Sequence, residues 1–489
     1  MNGHIKNMKN NTKYKFSKYA IIRKRRDGYC IYHSFFGNLC LLNKQAFSLL
    51  ISFKNAKTIE MTIKNYKNQT VKNKAQELIE EFLRRGFLYK SGTDELSEYK
   101  KFVRKRNLDL KNGNEVCLVQ LVVANTCNFN CKYCFINTMY SSEKRKKLQK
   151  DPRNQIMKKE EAEKYILTAI KHIKKIGRKN LFIQFTGGEP LTNWPLIKYI
   201  FEEFSNGEKH GINIGYSIDT NGSLITDEIA KYFKKYNVNA IVSFDTTHGK
   251  ARPLANGKNS IPLVKKNIKI LNKYKNRTSL NTAITTETFP YYNKEFNFNK
   301  DLVDFSVKNG INEIGVIFEL NFNLYNKYSI DEIVSKFWEF YKYARKNNVA
   351  IEGYWHQIFQ LLSREKHYLQ VGYKTCYANG PLLSIEPSGE VFACKFSSAN
   401  FGNMNDFQKI FSSDNYLKYA KLPFIKLKSC NGCELENFCS NICLGVREKK
   451  YGTISKIYKP TCYLYKKLVK KLIIDLEKSN LDVFTFETN

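Results

Sequence analysis

The spacing of apolar positions changes along the chain, and the changes divide it into units. The first unit reaches about residue 92. It shows two short β-like runs, Tyr29–His33 and Phe35–Leu42, then helical spacing over Lys44–Phe53, Thr58–Tyr66 and Val71–Arg85, closed by Gly86. Strands followed by helices predict a small winged-helix domain. Residues 93–115 turn charged, with Lys100-Lys101 and Arg104-Lys105-Arg106, and lose apolar periodicity, which predicts a linker or bridging helix. From 116 to 348 apolar runs alternate with helical stretches such as Glu160–Ile176 and Ile261–Tyr274. The runs are Leu118–Ala124, Leu181–Phe185, Ile212–Ile218, Ala240–Phe244, Ser279–Ile284 and Glu313–Phe318. Alternation of this kind predicts an α/β unit, a parallel sheet covered by helices. The charged stretch Ser141–Gln155 reads as a solvated insertion. Residues 349–489 form a last unit with few apolar runs and many cysteines.

With 489 residues, 42% of them hydrophobic, the chain can bury a large core. No apolar run reaches the roughly 18 residues of a membrane span, and no signal-peptide core follows the basic start, so a cytoplasmic protein without a membrane partner is expected. The formal charge is +36, and nine Lys and Arg side chains precede the first acidic residue, Asp27. Such an excess favours anionic partners. Lys, Asn, Ile and Tyr are abundant throughout, however, and no basic run is interleaved with an RNA-type aromatic motif, so no nucleic-acid partner is expected. Thirteen cysteines in a reducing compartment read as metal ligands rather than disulfides.

The loop Cys127-Asn128-Phe129-Asn130-Cys131-Lys132-Tyr133-Cys134 directly follows the apolar run Leu118–Ala124. Iron-sulfur cubanes usually take four thiolates, so three with no near fourth would leave one iron open. Zinc is the rival, but a closed structural zinc site takes four ligands. One strand later comes Thr186-Gly187-Gly188-Glu189-Pro190, whose paired glycines let backbone approach a ligand. The third strand runs into Asp219-Thr220-Asn221-Gly222, and the fourth ends Ser243-Phe244-Asp245 with Arg252 beyond. The C-x3-C-x2-C spacing, with Tyr133 before the last cysteine, resembles the signature of the radical S-adenosylmethionine (SAM) superfamily. The resemblance implies a partial (β/α)6 barrel with its site at the C-terminal strand ends, and a 4Fe-4S cluster on Cys127, Cys131 and Cys134 whose open iron binds SAM. It implies that Gly187, Gly188, Glu189 and Pro190 hold the SAM amino group and that Asn221 lies in the turn that meets the ribose. Tyr133, Ser243 and Arg252 join them as cofactor-binding positions, Arg252 because its fork suits a carboxylate. The sequence Asp245-Thr246-Thr247-His248 departs from the family's S-L-D-G turn.

Seven further thiols follow: Cys376, Cys394, Cys430, Cys433, Cys439, Cys443 and Cys462. The C-x2-C-x5-C-x3-C run from Cys430 is far too regular for chance. The set resembles the seven-cysteine SPASM domain, which implies two auxiliary 4Fe-4S clusters: an outer one on Cys430, Cys433, Cys439 and Cys462, and an inner one on Cys376, Cys394 and Cys443. The inner set is one ligand short. Its fourth position is expected to be open to a substrate thiolate, with Cys117 or Glu319 as competing occupants. Cys30, Cys40 and Cys117 sit in apolar runs and are expected to pack in cores. The first unit resembles the RiPP recognition element, which implies capture of a precursor's leader by strand addition along Phe35–Leu42 and the helix Val71–Arg85; a structural cap is the alternative. Together these resemblances imply a leader-guided radical SAM peptide maturase, served by an electron donor such as flavodoxin or ferredoxin. A thioether bond is the expected product, with carbon-carbon cross-linking, epimerisation and formylglycine maturation as alternatives. A zinc-containing peptide-binding scaffold is the non-enzymatic alternative. No catalytic acid or base is assigned.

Overall fold

The structure, a computed structural model, describes residues 11–134, 151–248, 250–289, 297–319, 323–364, 374–475 and 481–487. The first unit contains β1 (Tyr14–Phe16), β2 (Ala20–Arg25), β3 (Gly28–His33), β4 (Gly37–Leu42) and β5 (Leu88–Lys90). β2, β3 and β4 form an antiparallel meander, and β1 pairs with β5. Phe35 and Phe36, expected in a strand, form the turn between β3 and β4, where the two amides donate to His33 Nδ1 at 3.1 and 3.2 Å. The helices are Lys44–Ile51, Ile59–Ile63 and Gln69–Arg84. Asn43 starts the first by accepting from Ala46 N at 2.8 Å, a side-chain cap that satisfies an otherwise orphan amide. One face of the meander, with Ile31, Cys40 and Leu42, packs on Leu49, Phe53, Ile79 and Phe82. The other, with Cys30, Tyr32, Leu39 and Leu41, joins the large core of the rest of the chain. Burial on both faces explains why these strands lack the alternation of a half-exposed sheet.

The main sheet adds β6 (Leu118–Ala124), β7 (Asn180–Gly187), β8 (Asn213–Thr220), β9 (Asn239–Ser243), β10 (Thr278–Ile284) and β11 (Glu313–Phe318). All six are parallel neighbours in sequence order, as the alternating pattern predicts. Two strands the pattern did not show extend it: β12 (Ala350–Glu352) lies parallel to β11, and β13 (Leu382–Ile385) lies parallel to β6. β14 (Glu390–Phe392) and β15 (Asn400–Asn403) continue antiparallel from β13, giving a ten-stranded sheet. The partial barrel and the cysteine-rich unit therefore share one hydrogen-bonded sheet.

The charged linker region is a helix, Ser97–Asp109. Its Arg106 is buried, forks onto Glu115 and donates to Ala420 O at 2.8 Å, so it bridges to the cysteine-rich unit. Most of the expected insertion Ser141–Gln155 lies outside the described residues. Within its end, Asp151–Gln155, Asn154 is fully buried rather than solvated, and Gln155 O accepts from Asn125 N at 2.8 Å. The last strand, β16 (Val483–Phe484), returns to the first unit and lies parallel to β4. Among the described residues no helix is long and apolar enough to cross a membrane.

Candidate active site

The C-terminal ends of β6 to β9 place the cysteine loop and the Gly-Gly turn side by side. Gly188 N donates to Ala124 O and Glu189 N to Thr126 O, both at 2.8 Å. A Cβ on Gly187 would stand 1.9 Å from Ala124 O, and one on Gly188 would stand 2.2 Å from Thr126 O. The close approach of the turn to the strand end and the cysteine loop thus requires glycine at both positions, and both glycines also line the cavity described below. Glu189 is fully buried. Its carboxylate accepts from Thr220 Oγ1 at 2.7 Å, Asn221 N at 2.6 Å and Leu191 N at 3.1 Å. A carboxylate has about four lone-pair sites, so one remains for a further donor. Asn221 joins the same knot, donating through Nδ2 to Asn128 Oδ1 at 2.8 Å.

Arg252 reaches the site although its turn departs from the family pattern. The segment Ala251–Ala255 runs antiparallel to the cysteine loop: Lys132 N donates to Ala251 O, Asn130 N to Pro253 O and Ala255 N to Asn128 O, each at 2.9 Å. This pairing sets the Arg252 guanidinium over the Phe129 ring, 5.6 Å from its centroid, and lets it donate to Ser243 O. Burial works against its charge, but Tyr133, Asp245 and Cys131 more than offset that and hold it protonated. Tyr133 donates to Asp245, whose other oxygen accepts from Ala283 N at 2.9 Å. Burial raises the Cys131 thiol, and Arg252 opposes the rise.

These groups open onto a cavity of 260 Å³ lined by Cys131, Cys134, Gly187, Ser243, Arg252 and, from the other side, Cys443. Asp219, Glu319, Tyr354 and Lys395 also face it, and none of these had been given a catalytic role from the sequence. Gln184 Nε2 donates to Asp219 at 3.0 Å, and Lys395 Nζ donates to Thr186 Oγ1 at 2.6 Å. Burial raises the Asp219 carboxyl, with Lys395 opposing. Lys395 follows Cys394, a weak signal of its place; Tyr354 had none. A larger cavity of 1010 Å³ opens at the opposite strand ends, lined by Arg178, Arg277 and Cys117. It contains none of the motif residues.

The late cysteines fall into two groups. Cys430 and Cys433 both couple electrostatically to Cys462, which couples to Cys439. Cys376, Cys394 and Cys443 gather instead around Tyr354, whose phenol is held well above its ordinary value by burial and then by these three thiols. Burial pushes the Cys376 and Cys439 thiols up to about 12 and Cys462 to about 11, so they ionise only with a compensating partner such as a metal. Arg447, 1% exposed, lies between the groups, and its Nη2 has no hydrogen-bond partner among the described residues. Thiol-only donors beside a buried cation fit negatively charged iron-sulfur clusters. Cys30 and Cys40 are fully buried in cores, whereas Cys117 is half-buried. Cys117 also precedes β6, at the far end of the sheet from Cys443, which removes it as a fourth inner ligand. Glu319 lines the same cavity as Cys443.

The chain matches the radical SAM superfamily over residues 121–295 and the SPASM iron-sulfur cluster-binding domain over residues 376–434. Over 467 residues it is 40% identical to the radical SAM cyclopropyl synthase TigE of Paramaledivibacter caminithermalis, covering 95% of this chain and 97% of that protein. Its fold is similar to anSMEcpe with bound AdoMet and the Cp18Cys peptide, with a TM-score of 0.57 and 20% identity over 73% of this chain and 96% of that one. It is also similar to Streptococcus suis SuiB bound to precursor peptide SuiA, with a TM-score of 0.52 and 17% identity over 92% and 99%. The chain belongs to the radical SAM superfamily and is an enzyme that works with S-adenosylmethionine and multiple 4Fe-4S clusters.

Proposed function

We propose that this enzyme acts on a ribosomally made precursor peptide and closes a cyclopropane ring within one of its residues. The observation that carries the reading is the 40% identity to a cyclopropyl synthase over 95% of the chain. It replaces the thioether bond expected from the cysteine count as the leading product. In this reading Cys127, Cys131 and Cys134 hold the SAM-binding cluster. Cys430, Cys433, Cys439 and Cys462 hold an outer auxiliary cluster, and Cys376, Cys394 and Cys443 an inner one. When bound, these groups supply the electron transfers and the 5'-deoxyadenosyl radical that takes a hydrogen atom from the substrate, chemistry that belongs to the cofactor.

The chain's own residues position and desolvate. Gly187, Gly188, Glu189 and Asn221 hold the cysteine loop through the contacts above, and Arg252, which lines the cavity, offers its remaining donors to a carboxylate. Ring closure removes two hydrogens from the peptide, one as an atom and one as a proton whose electron is also withdrawn. We assign Asp219 as the acceptor of that proton: it faces the cavity, and burial raises its carboxyl toward taking up a proton while Lys395 opposes the rise.

The test is to incubate anaerobically reconstituted enzyme, SAM and reductant with the precursor encoded beside the gene. The reading predicts a product lacking two hydrogens, with its free thiols unchanged and cyclopropyl protons in the NMR spectrum. Loss of a thiol with each turnover would favour the thioether reading. That reading keeps one specific support: the inner group offers three cysteines, which leaves a fourth position for a substrate thiolate, and Glu319, which lines the same cavity, is the competing occupant.

A further inference from the structure

The edge of β4 is covered by a segment from the other end of the chain. Val483 and Phe484 pair in parallel with Leu41 and Leu42. Leu41 N donates to Asp482 O at 2.9 Å and Asn43 N to Phe484 O at 3.2 Å. Asn43 then clamps the next peptide unit, donating through Nδ2 to Phe486 O at 2.9 Å and accepting from Phe486 N at 3.3 Å. Because strand residues alternate sides, Asp482, Phe484 and Phe486 face the domain while Val483, Thr485 and Glu487 face solvent.

Each inward side chain meets a defined partner. Asp482 pairs with Arg85, which Glu81 also holds, at 2.5 Å. Phe484 lies under the Arg85 guanidinium, 4.8 Å from ring centroid to Cζ. Phe486 is 2% exposed, sits edge-on to Tyr66 at 5.4 Å and joins the core with Leu42, Phe53 and Leu78. The site therefore reads an extended segment as acidic, any, aromatic, any, aromatic, and grips it through backbone bonds that any peptide can make. Only two residues form ladder pairs, and the Asp482 side chain is 65% exposed. The contacts are those of a peptide added to a sheet edge.

The β4 edge and the helix Gln69–Arg84 are where the resemblance of the first unit implies that a leader adds as a strand; we propose that residues 482–486 are an exchangeable resident competitor there, standing in for an acidic, aromatic segment of the precursor. The proposal rests on the reading that the substrate is a peptide. It assigns the docking segment of the precursor a pattern of Asp or Glu followed at the second and fourth positions by aromatic residues. The excess of basic side chains, +36 overall, favours the same partner.

The experiment uses a fluorescein-labelled peptide of residues 481–489 with two reconstituted proteins, the full chain and one ending at residue 480. A segment on the same chain competes at an effective concentration on the order of millimolar. Against an intrinsic affinity of tens of micromolar, this predicts about 10- to 100-fold tighter binding by the shortened protein. A peptide carrying Asp482→Ala and Phe486→Ala should not bind. If the shortened protein does not fold, the same two substitutions in the full chain unseat the segment, and that variant should bind the labelled wild-type peptide. Equal binding to full-length and shortened protein, or no binding to any form, would overturn the proposal, because the segment would then be a fixed strand. Unlabelled precursor should displace the labelled peptide. Failure to displace it while the precursor is still modified would overturn the docking assignment alone. Displacement without any modification would leave the docking site standing and refute the proposed reaction.

Discussion

Replacing Gly188 with alanine tests how the Gly-Gly turn supports the chemistry. The new Cβ would stand 2.2 Å from Thr126 O and 2.6 Å from Thr126 C, where ordinary contact begins near 3.4 Å. Both neighbours are backbone, so no side chain can rotate away, and the turn must part from the cysteine loop by about 1 Å. The movement breaks the bonds from Gly188 N to Ala124 O and from Glu189 N to Thr126 O. Ala124 is buried and Thr126 is exposed, so the one buried carbonyl left unsatisfied costs roughly 1–3 kcal/mol. A displacement of this size at a reacting site costs on the order of 100-fold in rate. The assay is anaerobic reconstitution followed by iron analysis and the initial rate of 5'-deoxyadenosine formation. Gly188→Ala should retain the auxiliary iron, lose iron at the first loop and form 5'-deoxyadenosine about 100-fold more slowly. A variant with the wild-type rate would refute the argument that the glycines serve the cysteine loop.

Three further outcomes are expected. Replacing Cys127, Cys131 and Cys134 together with alanine should abolish SAM cleavage while the visible absorbance of the auxiliary clusters persists, since those thiols lie on separate segments; retained cleavage would contradict the assignment. Asp219→Asn should still form 5'-deoxyadenosine but release little modified peptide, and wild-type coupling between the two would remove Asp219 as proton acceptor. His33, fully buried and accepting from the Phe35 and Phe36 amides, is lowered by burial from 6.5 to about 3 and is neutral in the fold. The unfolded chain takes up a proton below 6.5 and the folded one does not, so this group costs stability as pH falls through that window, by about 1.4 kcal/mol per pH unit. Its ring resonance should therefore stay at the neutral position until the pH nears 3, and a midpoint near 6.5 would be inconsistent with its burial.

The six central strands were legible because each is a buried apolar run bounded by polar turns, and parallel strands covered on both faces produce that signal. β12 and β13 were not, being three- and four-residue strands too short to carry a pattern of their own. β16 is shorter still and takes its structure from β4, so nothing local announces it. The cysteine spacings stood out in the sequence because ligation needs a fixed geometry on a short loop. The purpose of Gly187 and Gly188 was not legible, since a glycine does not say which neighbour comes close. Arg252 stood in an irregular turn, and only the pairing of Ala251–Ala255 with the cysteine loop explains how it reaches the cavity. Lys395 and Tyr354 arrive from segments outside the six repeating units, where periodicity carries no information about what they face.

The central claim, hydrogen abstraction from a peptide leading to ring closure, is tested most directly by isotope transfer. Precursor carrying deuterium on its aliphatic side chains would be turned over once, and the 5'-deoxyadenosine and peptide analysed together by mass spectrometry. The account predicts one deuterium in 5'-deoxyadenosine for each peptide converted to a cyclopropyl product. Product formed with unlabelled 5'-deoxyadenosine, or deuterium transfer with no ring in the peptide, would contradict it.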